Sequence, residues 1–338
     1  MLYRLILAIR NLAYDKGWKK SVTASVPTVC LGNITVGGTG KTPHAEMLLR
    51  KLLGSTEWGD KKLAILSRGY KRKSRGFQQA SADSTARQLG DEPLQMARKF
   101  PTVTVAVDKN RIRGCQKLDA DLIILDDAFQ YRKLKASLNI VLVDYGRPVF
   151  EDRLLPFGHL RDLPSQLKRA DIVIVSKCPA ELDNSEREEW RSRLNLSEQQ
   201  KLFFTTVSYC PPEPVFPEGD AHYIYSKRLV LVSGIANNTP LKMYLSDTYK
   251  IVQKLEFADH HNFSSGDIRA INAAIRNNPT ACLMTTEKDA QRLRDCKKVP
   301  DSIRQRLFFT PIRSTFLTVE EEQEFDSLFF QHLVLNAD

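Results

Sequence analysis

Residues 28–42 read TVCLGNITVGGTGKT, and the fold is decided there. Thr28–Ile34 is a short apolar run that suits a buried strand, and Thr42–Leu53 carries apolar residues at helical spacing. Between them lies a glycine-rich turn ending in Gly40-Lys41-Thr42. Such a turn presents backbone N–H groups and the positive end of a helix dipole to a phosphate. Lys41 then suits the β- and γ-phosphates of a nucleotide, and the Thr42 hydroxyl suits Mg²⁺. Thr35, Val36, Gly37, Gly38, Thr39, Gly40, Lys41 and Thr42 are the expected phosphate-loop contacts. The strict pattern GxxxxGK[ST] has glycine where this chain has Thr35.

Working outward, Asp121–Asp127 reads DLIILDD, an apolar strand ending in two carboxylates. A parallel strand near the phosphate loop brings such a carboxylate to the same sheet edge, where it can hold the metal. Asp126 and Asp127 are therefore expected metal groups beside Thr42. Further strands are expected at Lys62–Ser67, Thr102–Val107, Leu138–Val143 and Asp171–Ser176, with helical stretches such as Asp91–Phe100 between most of them. Near-continuous Val/Ile/Leu strands alternating with helices predict an α/β fold whose parallel sheet is covered on both faces. The expected architecture is a P-loop NTPase-type parallel core with a smaller second α/β domain and an N-terminal amphipathic helix. Pro211–Pro217 (PPEPVFP) breaks the first series. A second series follows through Arg228–Val232, Lys250–Phe257, Ala281–Thr285 and Leu307–Thr310. The expected division is residues 1–20 for the helix, 21–210 for the core and 211–338 for the smaller domain.

The 338 residues carry a net charge of +10, which favours an acidic partner such as a nucleic acid, an anionic membrane or a phosphorylated substrate. Six cysteines form no CxxC pair and read as small buried hydrophobes, with neither a disulfide frame nor a zinc site. At the N-terminus, Leu2, Leu5, Ile6, Ile9, Leu12 and Ala13 recur at helical spacing, interrupted by Arg4, Arg10, Asp15 and Lys16. That is too charged for a spanning helix. It suits either an interfacial helix or a first helix packed on the protein's own core.

The ordered motifs resemble one family closely, the tetraacyldisaccharide 4'-kinases of lipid A biosynthesis. They are VPTVCLGNITVGGTGKTP, LSRGYKRKSRG at 66–76, GDEPLQMARKFP at 90–101, VAVDKNRIRG at 105–114, LIILDDAFQYR at 122–132, LLPFGHLRD at 154–162 and LKRADIVIVSK at 167–177. VSGIANN, FADHHNFS and TTEKDAQRL follow in the second half. The family's DDGFQH appears here as DDAFQY, and its LLPAGPLRE as LLPFGHLRD.

The resemblance implies transfer of the ATP γ-phosphate to the 4'-hydroxyl of an acylated disaccharide 1-phosphate, with ATP and Mg²⁺. It further implies a peripheral position on the cytoplasmic face of a bacterial inner membrane, and a second domain that closes over nucleotide. The expected partners are the glycolipid and an anionic membrane surface, with no nucleic acid and no obligate protein partner. It points to Asp91 as the base that accepts the hydroxyl proton, Glu92 near the metal, and His260 as partner of Asp91. Arg161 is expected as a transition-state cation or headgroup clamp. Arg68 and Lys71, within a run of five cations, and Asp144 are the expected substrate contacts. Two other classes compete: a nucleic-acid-associated ATPase, suggested by the basic balance, and a GTP-dependent metallochaperone, suggested by GGTGKT and Ser176-Lys177.

Overall fold

A computed structural model describes residues 2–259, 261–296 and 298–335. The chain divides into two compact units, one of residues 1–208 with 313–338, the other of Tyr209–Ile312. The smaller unit therefore ends at Ile312. Residues 313–338, grouped with it by sequence continuity, belong to the larger one. The reason is burial: Phe316, Phe325, Phe329 and Leu333 lie in the same core cluster as Val29, Leu48 and Phe203.

The larger unit begins with helix α1 (Leu2–Asp15). Its strands, in chain order, are β1 (Val22–Thr23), β2 (Thr28–Asn33), β3 (Leu63–Ser67), β4 (Gln78–Gln79), β5 (Thr104–Val107), β6 (Leu122–Asp126), β7 (Leu134–Lys135), β8 (Leu138–Asp144), β9 (Ile172–Ser176) and β10 (Lys201–Tyr209). The smaller unit contributes β11 (Glu213–Pro214), β12 (Arg228–Ser233), β13 (Lys250–Glu256), β14 (Cys282–Thr286) and β15 (Leu307–Thr310). Strand β16 (Ile312–Phe316) returns to the first sheet, whose order is β16-β10-β9-β8-β2-β6-β3-β5-β4.

From β10 through β5 the ladders of that sheet are parallel, and β4 pairs antiparallel at its edge. All six residues of β2 are buried, as the continuous apolar run predicts for a central strand covered on both faces. One face packs Val29, Leu31, Ile65 and Ile124; the other packs Cys30, Ala64, Ile123 and Val141. In the smaller unit β12, β13, β14 and β15 are parallel, around a core of Val230, Val232, Ile271, Leu283 and Leu307. All six cysteines are free, and four are buried.

Helix α1 packs one side on the protein and leaves apolar residues exposed on the other. Leu7, Asn11 and Ala13 face inward, and Asn11 Nδ2 donates to Asp162 Oδ1 at 2.9 Å. Leu2, Leu5, Ile6, Ile9 and Leu12 stay 46–72% exposed, a contiguous apolar stripe. Among the described residues no helix is long and apolar enough to cross a membrane.

Candidate active site

Parallel strands deliver their carboxyl ends to one edge, and the loops there form the site. Strand β2 leads into the phosphate loop, β6 into Asp126 and Asp127, β8 into Asp144, β9 into Ser176 and Lys177, and β3 into Arg68. The loop ends at helix α2 (Lys41–Gly54), whose N-cap is Gly40 with φ 78° and no side-chain cap. That left-handed backbone is costly for residues other than glycine, and the missing cap leaves first-turn N–H groups for an anion. Thr35 is accommodated because its backbone is not left-handed; it is buried and forms an isolated bridge with Leu160.

Lys41 Nζ lies 3.7 Å from Asp127 Oδ1. Arg161 grips the same carboxylate, Nη1 donating to Oδ2 at 3.0 Å and Nη2 to Oδ1. Arg161 Nη2 also reaches Asn33 O at 3.3 Å. The backbone fixes that arginine too, since Arg161 N donates to Ile34 O at 2.8 Å. Burial raises the Asp127 pKa, but Arg161 and Lys41 outweigh it and bring the carboxyl down to about 2. Asp126 shifts the other way, to about 6, through burial and then the negative charges of Asp127 and Glu92, against Lys41 and Arg111. Two adjacent carboxyls are thus pushed apart: Asp127 is tied to cations, and the pull of Lys41 and Arg111 on Asp126 does not offset its burial and its negative neighbours.

Asp91 and Glu92 open the helix Asp91–Lys99, behind Gly90 at φ 98°. A Cβ on Gly90 would approach Tyr70 O to 2.9 Å, so glycine is required where the chain turns into Asp91. Arg68 is exposed, and its charge is felt at Arg111. Lys71 is exposed at φ 59° with its ammonium 5.5 Å from the Tyr70 ring centroid. His260 lies outside the described residues; its neighbour His261 meets Asp267 at 2.9 Å within the smaller unit. Asp144 is only 6% exposed and is already engaged by Lys177 Nζ at 2.6 Å and Arg147 at 3.6 Å, beside the phosphate loop.

The structure therefore gathers Lys41, Asp126, Asp127, Arg161 and Glu92 around one loop, and Arg68 beside Arg111. Arg111 was not expected: it is 2% exposed, donates to Asp108 O at 2.7 Å, and directs its charge toward Asp126 and Asp127. Its motif, VAVDKNRIRG, is visible in the sequence, yet an arginine at a helix start looks solvated until the fold buries it. Asn33 was also missed; its amide Nδ2 donates to Thr39 Oγ1 at 2.6 Å.

Residues 1–333 match the sequence profile of the tetraacyldisaccharide-1-P 4'-kinases. The chain belongs to that family. A tetraacyldisaccharide 4'-kinase of Flavobacterium johnsoniae is 40% identical, with all of this chain and 96% of that one aligned. The Phocaeicola vulgatus enzyme of the same name is 39% identical over 93% of this chain and 88% of its own length. The crystal structure of the apo-form Aquifex aeolicus family member LpxK, described as in complex with ATP, superposes with a TM-score of 0.75 at 28% identity. That superposition covers 98% of this chain and 96% of the other.

Proposed function

We propose that this chain performs its family's reaction, moving the γ-phosphate of ATP to the 4'-hydroxyl of a tetraacyl disaccharide 1-phosphate, with the residues above in defined roles. The chain is a phosphotransferase that binds ATP. The observation carrying the residue-level reading is the grip of Arg161 and Lys41 on Asp127 at the mouth of the phosphate loop, which leaves the adjacent Asp126 carboxyl for a cation.

Phosphoryl transfer is largely positioning and charge neutralisation. Residues 35–42 hold the phosphates, with Lys41 on their outer oxygens. Arg161, fixed through Asn33 and Asp127, stands where a cation offsets negative charge developing on the transferred group. Asp91 and Glu92 begin one helix, and Asp91 takes the acceptor proton. Its expected partner, His260, completes this reading from the family pattern. Arg68 and Lys71 supply exposed cations for the substrate phosphate.

The metal would be Mg²⁺. Among the described residues no group of three His, Cys, Asp or Glu is placed to hold a metal by itself. Mg²⁺ ordinarily needs only one or two carboxylates, with phosphates and waters completing its shell. Asp126 fits that need, because burial beside Asp127 and Glu92 raises its pKa and a bound cation would relieve the strain. Thr42 and Glu92 would stand with it, whereas Asp127 is committed to Arg161 and Lys41 and helps indirectly. When bound, Mg²⁺ would neutralise charge on the β- and γ-phosphates.

The exposed stripe of α1, with 74% exposed Trp18 following it, supports a peripheral seat on an anionic bilayer surface, the inner face of a bacterial membrane. The deciding assay follows labelled γ-phosphate from ATP to a tetraacyl disaccharide 1-phosphate in detergent, with and without Mg²⁺. Metal-dependent 4'-phosphorylation supports the reading; ATP binding without product would reject this acceptor.

A further inference from the structure

Three successive carbonyls of the phosphate loop are each held from outside by a side chain. Lys177 Nζ donates to Gly38 O, Ser176 Oγ donates to Thr39 O at 3.0 Å, and His44 Nδ1 lies 2.7 Å from Gly40 O. The peptide unit is planar and trans, so each N–H points away from the C=O of the residue before it. Drawing the Thr39 and Gly40 carbonyls outward turns the Gly40 and Lys41 N–H groups the other way, into the concavity at the uncapped start of α2. The Thr39 N–H bonds instead to Gly37 O at 3.0 Å, and Lys177 locks that tight turn through the following carbonyl.

The holders are themselves held. His44 is 1% exposed, and its Nε2 meets Thr205 Oγ1 of β10 at 2.9 Å. With Nδ1–H directed at Gly40 O, Nε2 is the acceptor of the Thr205 hydroxyl, which is the neutral tautomer. Ser176 ends β9 and is fully buried. Lys177 follows at φ 61°, a backbone state that side-chain-bearing residues keep only where their surroundings impose it. Its ammonium also meets Asp144 Oδ2 at 2.6 Å, and that carboxylate is 6% exposed. Swinging the lysine toward solvent or a ligand would leave a buried carboxylate with the Gly146 N–H at 3.0 Å and Arg147, 3.6 Å away, as its nearest remaining cation.

We propose that Lys177, steered by Asp144, is a positioning residue for nucleotide binding: with Ser176 and His44 it straps the loop's carbonyls outward, so that its N–H donors are aimed before ATP arrives. The inference rests on residues 35–42 being the phosphate site. It gives Asp144 a role behind the loop rather than on the acceptor. Affinity then includes little cost for arranging the loop, because the arrangement exists beforehand.

The test compares full-length wild type, Lys177→Met, Lys177→Arg and Ser176→Ala by titration with ATP and ADP, together with KM values for both substrates. Lys177→Met should weaken ATP and ADP by a similar factor, about tenfold or more, as expected for losing a charged hydrogen bond. The KM for the acceptor should stay the same, and Lys177→Arg, which can still span Gly38 and Asp144, should recover most of the loss. Loss confined to ATP would mean direct contact with the γ-phosphate and would overturn the strap. Wild-type affinity in a folded Lys177→Met, or a raised acceptor KM alone, would overturn it equally. Should Lys177→Met not fold, Ser176→Ala carries the same comparison with a near-isosteric change. Absence of nucleotide binding by wild type would instead remove the phosphate-loop reading itself.

Discussion

Replacing Asp126 by asparagine preserves the side chain's size and removes its charge, so it separates catalysis from stability. Without metal, burial and then Asp127 and Glu92 raise this carboxyl from 3.8 to about 6. A gap of roughly two pH units corresponds to about 3 kcal/mol, and partial exposure to solvent trims that to about 1–3 kcal/mol. The sign follows from proton counting. Between about pH 4 and 6 the folded chain binds more protons at this site than the unfolded one. Stability from this group is therefore full below about pH 4 and is lost as pH rises through 6. Asp126→Asn should accordingly melt higher than wild type at about pH 7.5 without metal, by about 2–4 °C per kcal/mol for a unit of this size. The offset should vanish near pH 4. Adding ATP and Mg²⁺ should favour wild type, and transfer to the acceptor should fall by about 100-fold or more in the variant. Circular-dichroism melts at the two pH values, with and without nucleotide and metal, make the measurement. A variant less stable than wild type at pH 7.5, or an offset equal at both pH values, would refute the assignment of stored charge to Asp126.

Further outcomes can be measured on the same protein. Asp91→Ala should lower turnover by about two orders of magnitude while leaving ATP affinity largely intact; unchanged turnover would remove its role as base. His44 is held down to about 4, mainly by burial, so the native chain should lose up to about 3 kcal/mol as pH falls from 6.5 through 4. His44→Asn should flatten that part of the denaturation profile, and an unaltered slope would show that another group controls it. The double substitution Leu5→Ser with Ile9→Ser alters residues 56% and 58% exposed, so melting should hardly move. Retention on anionic vesicles should drop, and undiminished retention would take the stripe out of membrane binding.

The sequence was most legible where physics leaves few choices. Buried parallel strands such as β2, β6 and β9 need continuous apolar runs, and those runs marked them to within a residue or two. The phosphate loop was legible because anion binding requires glycines and a lysine at fixed spacing. Strands β10 and β16 were not, since both are only partly buried. The place of residues 319–334 depends on Phe325 and Phe329 reaching a core built from residues far earlier, and chain order predicts the nearer unit instead. Within the site, Asp126 and Asp127 were visible as a pair, but the difference in their ion partners was not. Arg161, 34 positions away, sets it. The side chains of Ser176 and His44 leave no signature because they bind backbone carbonyls, which every residue has.

Helix α1 carries one more consequence. Tyr3 OH donates to Arg161 O at 3.0 Å, Asn11 binds Asp162, and Arg132 joins Asp15 at 2.7 Å. The element that carries the exposed apolar stripe is therefore tied by hydrogen bonds to Arg161, the residue proposed for the transferred phosphate, and to its neighbour Asp162. A protein seated through such a helix does not roam on a leash above the lipid. It would keep its reaction centre at a set height, about one helix diameter from the plane in which the acyl chains end and the sugars begin. An acceptor could then be phosphorylated where it lies, its tails never leaving the membrane.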